Sequence, residues 1–154
     1  TSAGIKSDGT LWTWGQNSYG ALGININNGY NINSAVINSP IQVGTSSWIA
    51  VSVGAENIVA IRTGGTLFAW GSNVIGQCCQ PTTTGAYSSP VSIGSSTWSA
   101  VFAGSTGITN TAGHFFAIRS DGRLFAWGDN SYYQLGISNN TTTYFSSPVA
   151  VGSS

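Results

Sequence analysis

Three stretches of this chain repeat one another column by column, and that self-similarity constrains its fold more than any other feature. The first reads Ile5-Lys6-Ser7-Asp8-Gly9-Thr10-Leu11-Trp12-Thr13-Trp14-Gly15-Gln16-Asn17. The second reads Ile61-Arg62-Thr63-Gly64-Gly65-Thr66-Leu67-Phe68-Ala69-Trp70-Gly71-Ser72-Asn73, and the third Ile118-Arg119-Ser120-Asp121-Gly122-Arg123-Leu124-Phe125-Ala126-Trp127-Gly128-Asp129-Asn130. The Trp-Gly pairs are 56 and 57 residues apart. A fixed period of this kind marks a repeat architecture, in which each unit buries its apolar face only against its neighbours.

The flanks repeat as well. Ser39-Pro40, Ser89-Pro90 and Ser147-Pro148 each precede a short apolar run ending in Val-Gly or Ile-Gly. Trp48-Ile49-Ala50-Val51-Ser52-Val53-Gly54 matches Trp98-Ser99-Ala100-Val101-Phe102-Ala103-Gly104. Between Gly104 and Ala117 the third copy carries a seven-residue insertion relative to Gly54–Ala60. The chain therefore reads as one domain, 1–154, with units at about 1–47, 48–97 and 98–154.

Within a unit, 58–61 and 67–70 are short apolar runs joined by a turn at Gly64-Gly65, which is Asp8-Gly9 or Asp121-Gly122 in the other copies. Asp-Gly between apolar runs is a hairpin signal. In Leu67-Phe68-Ala69-Trp70 successive side chains face opposite sides of a sheet, and apolar residues on both faces suit a sheet packed between two others. No segment sustains a helical period. Four short strands per unit is the pattern of a propeller blade.

The run G-x-L-aromatic-x-W-G-x-N-x-x-G-x-L-G resembles the regulator-of-chromosome-condensation repeat family across essentially the whole chain. The first unit keeps Gly20 and Leu22-Gly23; the second has Cys78-Cys79 in the Leu-Gly columns; the third has Tyr133 where Gly is expected. His114 matches the family's Gly-x-x-His column, where the preceding copy has Asn57. The resemblance implies an all-β fold of β-propeller blades, each of about four antiparallel strands, with about three blades present. Family propellers commonly have seven. Three blades do not close a ring, so a segment of a longer propeller is expected, ahead of copies that complete one another.

Composition narrows the function classes. Only 5% of residues are charged and the formal net charge is zero. Phosphate neutralisation needs clustered basic residues, so no nucleic-acid partner is expected. A polybasic membrane-surface module is excluded on the same ground. No basic-then-apolar leader opens the sequence, no run approaches ~20 apolar residues, and no membrane insertion is expected. The 52 Ser, Thr and Asn residues give a polar, uncharged surface, which points to a part of an assembly or to a place outside a cell.

No residue set recommends itself for catalysis, a cofactor or a metal. Asp8 and Asp121 share the hairpin-turn column; Glu56 and Asp129 are scattered. Lys6, Arg62 and Arg119 share a column beside the turn; a ring of them could bind an anionic ligand, but they are read foremost as solvated or paired with a nearby carboxylate. His114 is the sole histidine, read as packed and bonding backbone. Cys78 reads as a buried apolar side chain and Cys79 as partly exposed. Aromatics in repeated columns read as core: Trp14, Trp70 and Trp127 in one, Trp48 and Trp98 in another. Tyr30, Tyr87, Tyr132, Tyr133 and Tyr144, in the variable loops, are the candidate partner-binding residues, with Thr109 and Asn110 in the insertion.

The resulting expectation is a non-enzymatic structural or attachment module. A virion or extracellular surface component such as a fibre, tail or capsid decoration is foremost, contacting other protein subunits. The alternatives are an intracellular (cytoplasmic) protein-interaction propeller with guanine-nucleotide-exchange-like activity, and a carbohydrate-binding propeller whose partner is a glycan.

Overall fold

The computed structural model describes residues 1–25, 36–80, 85–105, 113–137 and 142–152. About two thirds of these residues are in β-strands, where successive side chains face opposite sides of the sheet. The strands are β1 (Ser2–Ile5), β2 (Thr10–Gln16), β3 (Val36–Val53), β4 (Asn57–Arg62), β5 (Thr66–Ser72), β6 (Ala86–Ser105), β7 (Gly113–Arg119), β8 (Leu124–Asp129) and β9 (Tyr144–Ala150). Every pairing joins consecutive strands and is antiparallel. The only helical element among the described residues is a single 3-10 turn, Ser18–Gly20.

The two long strands are corners. Up to Ser47, β3 pairs with β2; from Trp48 it pairs with β4. Likewise β6 pairs with β5 up to Thr97 and with β7 from Trp98. The described residues thus form three sheets, of which the second and third each have four strands. The blades expected from the repeat are present. At each corner the Trp backbone N–H stays bonded to the preceding blade's hairpin: Trp48 donates to the Gly9 carbonyl at 2.8 Å, and Trp98 to the Gly65 carbonyl at 2.9 Å.

Two cores lie between the three blades, and the second blade feeds both. From β4, Ile58 and Ala60 enter the core with Leu11, Val43, Trp48 and Trp70. Val59 and Ile61, one residue out of phase, enter the other with Leu67, Trp98, Phe115 and Trp127. The third blade's Phe102, Phe116, Ile118 and Leu124 stand in the columns of Ser52, Val59, Ile61 and Leu67. Val59, Ile61 and Leu67 are fully buried, whereas Phe102 is 53% exposed.

The Trp column locks neighbouring blades together. Trp70 Nε1 donates to the Ala21 carbonyl of the first blade at 3.0 Å, and Trp127 Nε1 donates to the Gln77 carbonyl of the second at 3.0 Å. Trp14, in the same column of the first blade, is half-buried. The accepting loops share a fold of their own. Asn17, Asn73 and Asn130 each accept, through Oδ1, the backbone N–H of Leu22, Cys78 and Leu135.

Those loops share two left-handed columns, and Tyr19 adds a third left-handed residue in the first loop. Cys79 has φ 53° and Tyr133 φ 61°, in columns where the first copy has Gly23 and Gly20. A side chain in this region costs about 1–2 kcal/mol. Tyr133 is mostly exposed and packs little, so Tyr133→Gly is expected to raise stability by about 1 kcal/mol, the relief exceeding the added unfolded-state entropy. Urea unfolding checks this; a lower midpoint would refute it.

Candidate functional site

The blades present two functionally distinct ends, one of hairpin turns and one of variable loops. At the hairpin end each turn closes with a backbone bond from residue i+3 to residue i: Gly9 to Lys6, Gly65 to Arg62 and Gly122 to Arg119, at 2.8–2.9 Å. The Asp of the turn is held by local bonds. Asp8 Oδ1 accepts from the Thr10 N–H at 2.9 Å and from its hydroxyl at 2.6 Å. These bonds, Thr10's hydroxyl first, hold its carboxyl below the usual range. Asp121 pairs bidentately with Arg119, which brings its pKa to about 2.

The basic column has a partner that the sequence reading did not supply. Lys6 Nζ sits 3.7 Å over the Trp12 ring, Arg62 4.9 Å over Phe68, and Arg119 5.0 Å over Phe125. Each cation stacks on the aromatic six residues later, across the hairpin, an attraction between charge and ring quadrupole. The i, i+6 recurrence of Lys/Arg and Trp/Phe in all three copies is the signal that reveals it. A cleft of about 430 Å³ opens beside Arg62, where the first and second blades meet.

At the loop end, Tyr132 is 66%, Tyr133 62% and Tyr144 45% exposed. Tyr132 and Tyr133 follow β8 directly, and Tyr144 begins β9 opposite Asp129, so one edge of the third blade carries all three. Tyr87 is not with them. It lies in β6 opposite Gly71 and packs against both cores. Its repeat counterpart Phe145 sits opposite Gly128. Tyr87 is thus packed against the cores rather than free in a loop. Tyr30, Thr109 and Asn110 lie outside the described residues.

The remaining titratable groups are structural in setting. Asp129 is buried and accepts from the Ser131 N–H and hydroxyl and from Gln134 Nε2 at 2.7 Å. His114 rests edge-on against Phe116. Its Nδ1 has no hydrogen-bond partner among the described residues. Partial burial lowers its pKa, opposed by the nearby Asp129 charge. Partial burial also raises that of Glu56. Among the described residues no group of three or more His, Cys, Asp or Glu side chains is placed to hold a metal, and no helix is long and apolar enough to cross a membrane.

Cys78 is fully buried in the second core, its Sγ 3.6 Å from the Ser72 carbonyl. Burial pushes its pKa up to about 12, and Cys79 is raised by burial and by its neighbour. Both thiols are expected to resist iodoacetamide at pH 8 until the protein unfolds, since only the thiolate reacts. A raised folded-state pKa also fixes a sign. The contribution to stability is whole below pH 9 and is lost as the pH climbs from there toward 12. Alkylation of native protein, followed by mass, checks the first point.

The regulator of chromosome condensation (RCC1) repeat matches this sequence over residues 8–61, and a second form of that repeat matches residues 48–77 and 112–134. The chain belongs to the regulator of chromosome condensation repeat family. Relatives include Protein pim1 of Schizosaccharomyces pombe, 25% identical over 88% of this chain and 25% of that protein. The human X-linked retinitis pigmentosa GTPase regulator is 28% identical over 98% of this chain and 14% of that protein. The crystal structure of Prp20p from Saccharomyces cerevisiae, described with its binding to Gsp1p and histones, aligns with a TM-score of 0.81 at 17% identity. The alignment covers 98% of this chain and 36% of that one. The fold is therefore the β-propeller of this repeat family, and the chain spans about a quarter or less of the two sequence relatives named. None of these comparisons supports a virion component or a glycan-binding propeller.

Proposed function

We propose that this chain is a protein-interaction segment of an intracellular propeller of the repeat family, acting by binding rather than by catalysis of its own. The observation that carries the reading is the loop edge of the third blade, where Tyr132, Tyr133 and Tyr144 stand exposed on a scaffold locked by the Trp–carbonyl bonds. Tyrosine offers a large, stiff, amphipathic contact at low entropic cost, and is enriched where proteins meet. The relatives supply the partner class. Prp20p is described as binding Gsp1p and histones, and the human relative is named a GTPase regulator. Such partners belong inside a cell, so this reading replaces the virion or extracellular placement that composition favoured.

Isothermal titration of the protein against a small GTPase and against histones tests the proposal. Binding to one of them is expected, weakened at least ~10-fold when Tyr132, Tyr133 and Tyr144 are all replaced by Ala. A folded protein that binds neither, or a triple variant with unchanged affinity, would refute the reading. Nucleotide release is measured in the same samples. Acceleration of release would make the segment an exchange factor and overturn the purely binding role.

A further inference from the structure

We propose that the cleft between the first and second blades, at their hairpin end, is a subsite for an acidic side chain of a partner protein, with Arg62 as its charge partner. The inference rests on the protein-interaction reading above and names a chemical requirement for the partner.

The argument begins with one column of the repeat. In the first and third copies the turn residue two after the basic position is Asp8 or Asp121; in the second it is Gly64. Asp121 satisfies Arg119 within its own turn. Arg62 has no carboxylate in reach among the described residues. The chain's four acidic residues are already committed or distant. Asp8 is bonded to Thr10, Asp121 to Arg119, and Asp129 to Ser131 and Gln134. Glu56 precedes β4, whose far end carries Arg62, so the two stand about 20 Å apart along the strand.

The second observation is the cleft. Its volume, about 430 Å³, lies within the ~300–1,000 Å³ range of small-ligand pockets. Arg62 and Phe68 form part of its wall, with Ile24, Gln42, Trp48 and Pro90. Trp48 is 4% exposed, and its buried Nε1 has no hydrogen-bond partner among the described residues. The equivalent Trp98 Nε1 is also unpartnered, so this donor does not by itself distinguish the two junctions. What distinguishes them is the neighbouring chain. At the second–third junction Gln80, in the column of Ile24, reaches across to donate to the Ser92 carbonyl at 3.1 Å. There Arg119 is also neutralised by Asp121. Between the first and second blades Ile24 takes the place of Gln80, the lining mixes Ile24, Trp48 and Pro90 with Gln42 and Ser89, and the Arg62 guanidinium lies 4.9 Å over Phe68 with no carboxylate partner among the described residues.

A guanidinium fixed on an aromatic is pre-organised for a carboxylate, which it meets through two parallel N–H bonds. Ile24, Trp48, Phe68 and Pro90 in the lining give the apolar neighbours of such an acidic residue a surface to rest on. Overall neutrality leaves no broad positive field, so recognition at this site is local rather than steered from afar.

The test is an NMR titration of isotope-labelled protein, read at the Arg62 Nε–H and the Trp48 indole N–H. The probes are acetyl-Ala-Leu-Glu-Leu-Ala-amide, its Gln counterpart and butyrate. The Glu peptide is expected to bind at least ~10-fold tighter than the Gln peptide. Arg62→Gln and Gly64→Asp are each expected to erase that preference, the second by restoring the internal partner seen in the sister repeats. Gly64 has φ +96°, whereas Asp8 and Asp121 are not left-handed, so the substituted turn takes their conformation. Asp121→Gly is expected to leave the preference unchanged, because it frees an arginine that has no such cleft. Equal binding of Glu and Gln peptides, or a preference that survives Arg62→Gln in folded protein, overturns the proposal. Butyrate binding as tight as the Glu peptide overturns the assignment to a protein segment. A GTPase or histone affinity indifferent to Arg62→Gln, but lost in the tyrosine variant, sinks this subsite and leaves the interaction reading standing.

Discussion

Trp70→Ala is expected to lower the stability of the protein by about 4 kcal/mol, among the largest single-residue effects available in this fold. Trp70 is fully buried in the core between the first two blades. Its ring stands tilted 6.0 Å from that of Trp48. Removing it empties a large part of that core and also strips the Ala21 carbonyl of its donor. The two contributions are separable. Trp70→Phe keeps most of the apolar volume but leaves the buried carbonyl unpaired, a loss of about 1–3 kcal/mol. Trp127→Ala is expected to match Trp70→Ala, since it bonds Gln77 in the same way. Trp14→Ala, at a half-buried ring, is expected to cost clearly less. Equilibrium urea unfolding of the variants measures all of this. Equal losses at Trp14 and Trp70 would show that the column owes its effect to local hairpin structure rather than to the blade-to-blade lock.

Gly71→Ala and Gly128→Ala are the second pair with large expected effects, about 3 kcal/mol each. Both glycines have φ near +95°, where an L side chain is strained. In each the added methyl also meets backbone: the Glu56 carbonyl and Asn57 Cα at Gly71, the Gly113 carbonyl and His114 Cα at Gly128. Backbone on a paired strand cannot swing aside as a side-chain tip can. Gly15 separates strain from clash. Its φ is +97°, yet its nearest neighbour, Thr1 Cα, would lie 3.5 Å from the methyl. Gly15→Ala is therefore expected to cost about 1 kcal/mol. Thermal unfolding of the three variants decides it. A loss at Gly15 as large as at Gly71 would mean that dihedral strain alone explains the column.

The blades and the hairpins were legible because each rests on a local pattern: alternation for the strands, Asp-Gly for the turns, and a repeated Trp-Gly for the blade. Tyr87 shows where local pattern fails. The sequence reading put it in a variable loop, but it lies in β6 and packs against the cores on both sides of the second blade. His114 shows the reverse limit. Its column implied a packed ring bonding backbone; the packing against Phe116 is there, while its Nδ1 has no hydrogen-bond partner among the described residues. The comparisons give no support to the placement that composition favoured, and a scarcity of charge describes a surface without saying which compartment the surface meets.

By itself the sequence determined the repeat, the blade, the columns of buried tryptophan and the scarcity of groups able to do chemistry. These follow from periodicity, which acts between residues close along the chain. The tertiary structure decided the rest. It showed that β3 and β6 turn corners between blades, that the Trp column reaches carbonyls about fifty residues away, and that Arg62 lies stacked on Phe68 at the wall of a cleft, with no carboxylate partner among the described residues. Those properties depend on which side chains two different blades bring together, and on whether one blade's charge meets a partner. A repeat pattern makes the blades alike, and only their packing reveals where one of them differs.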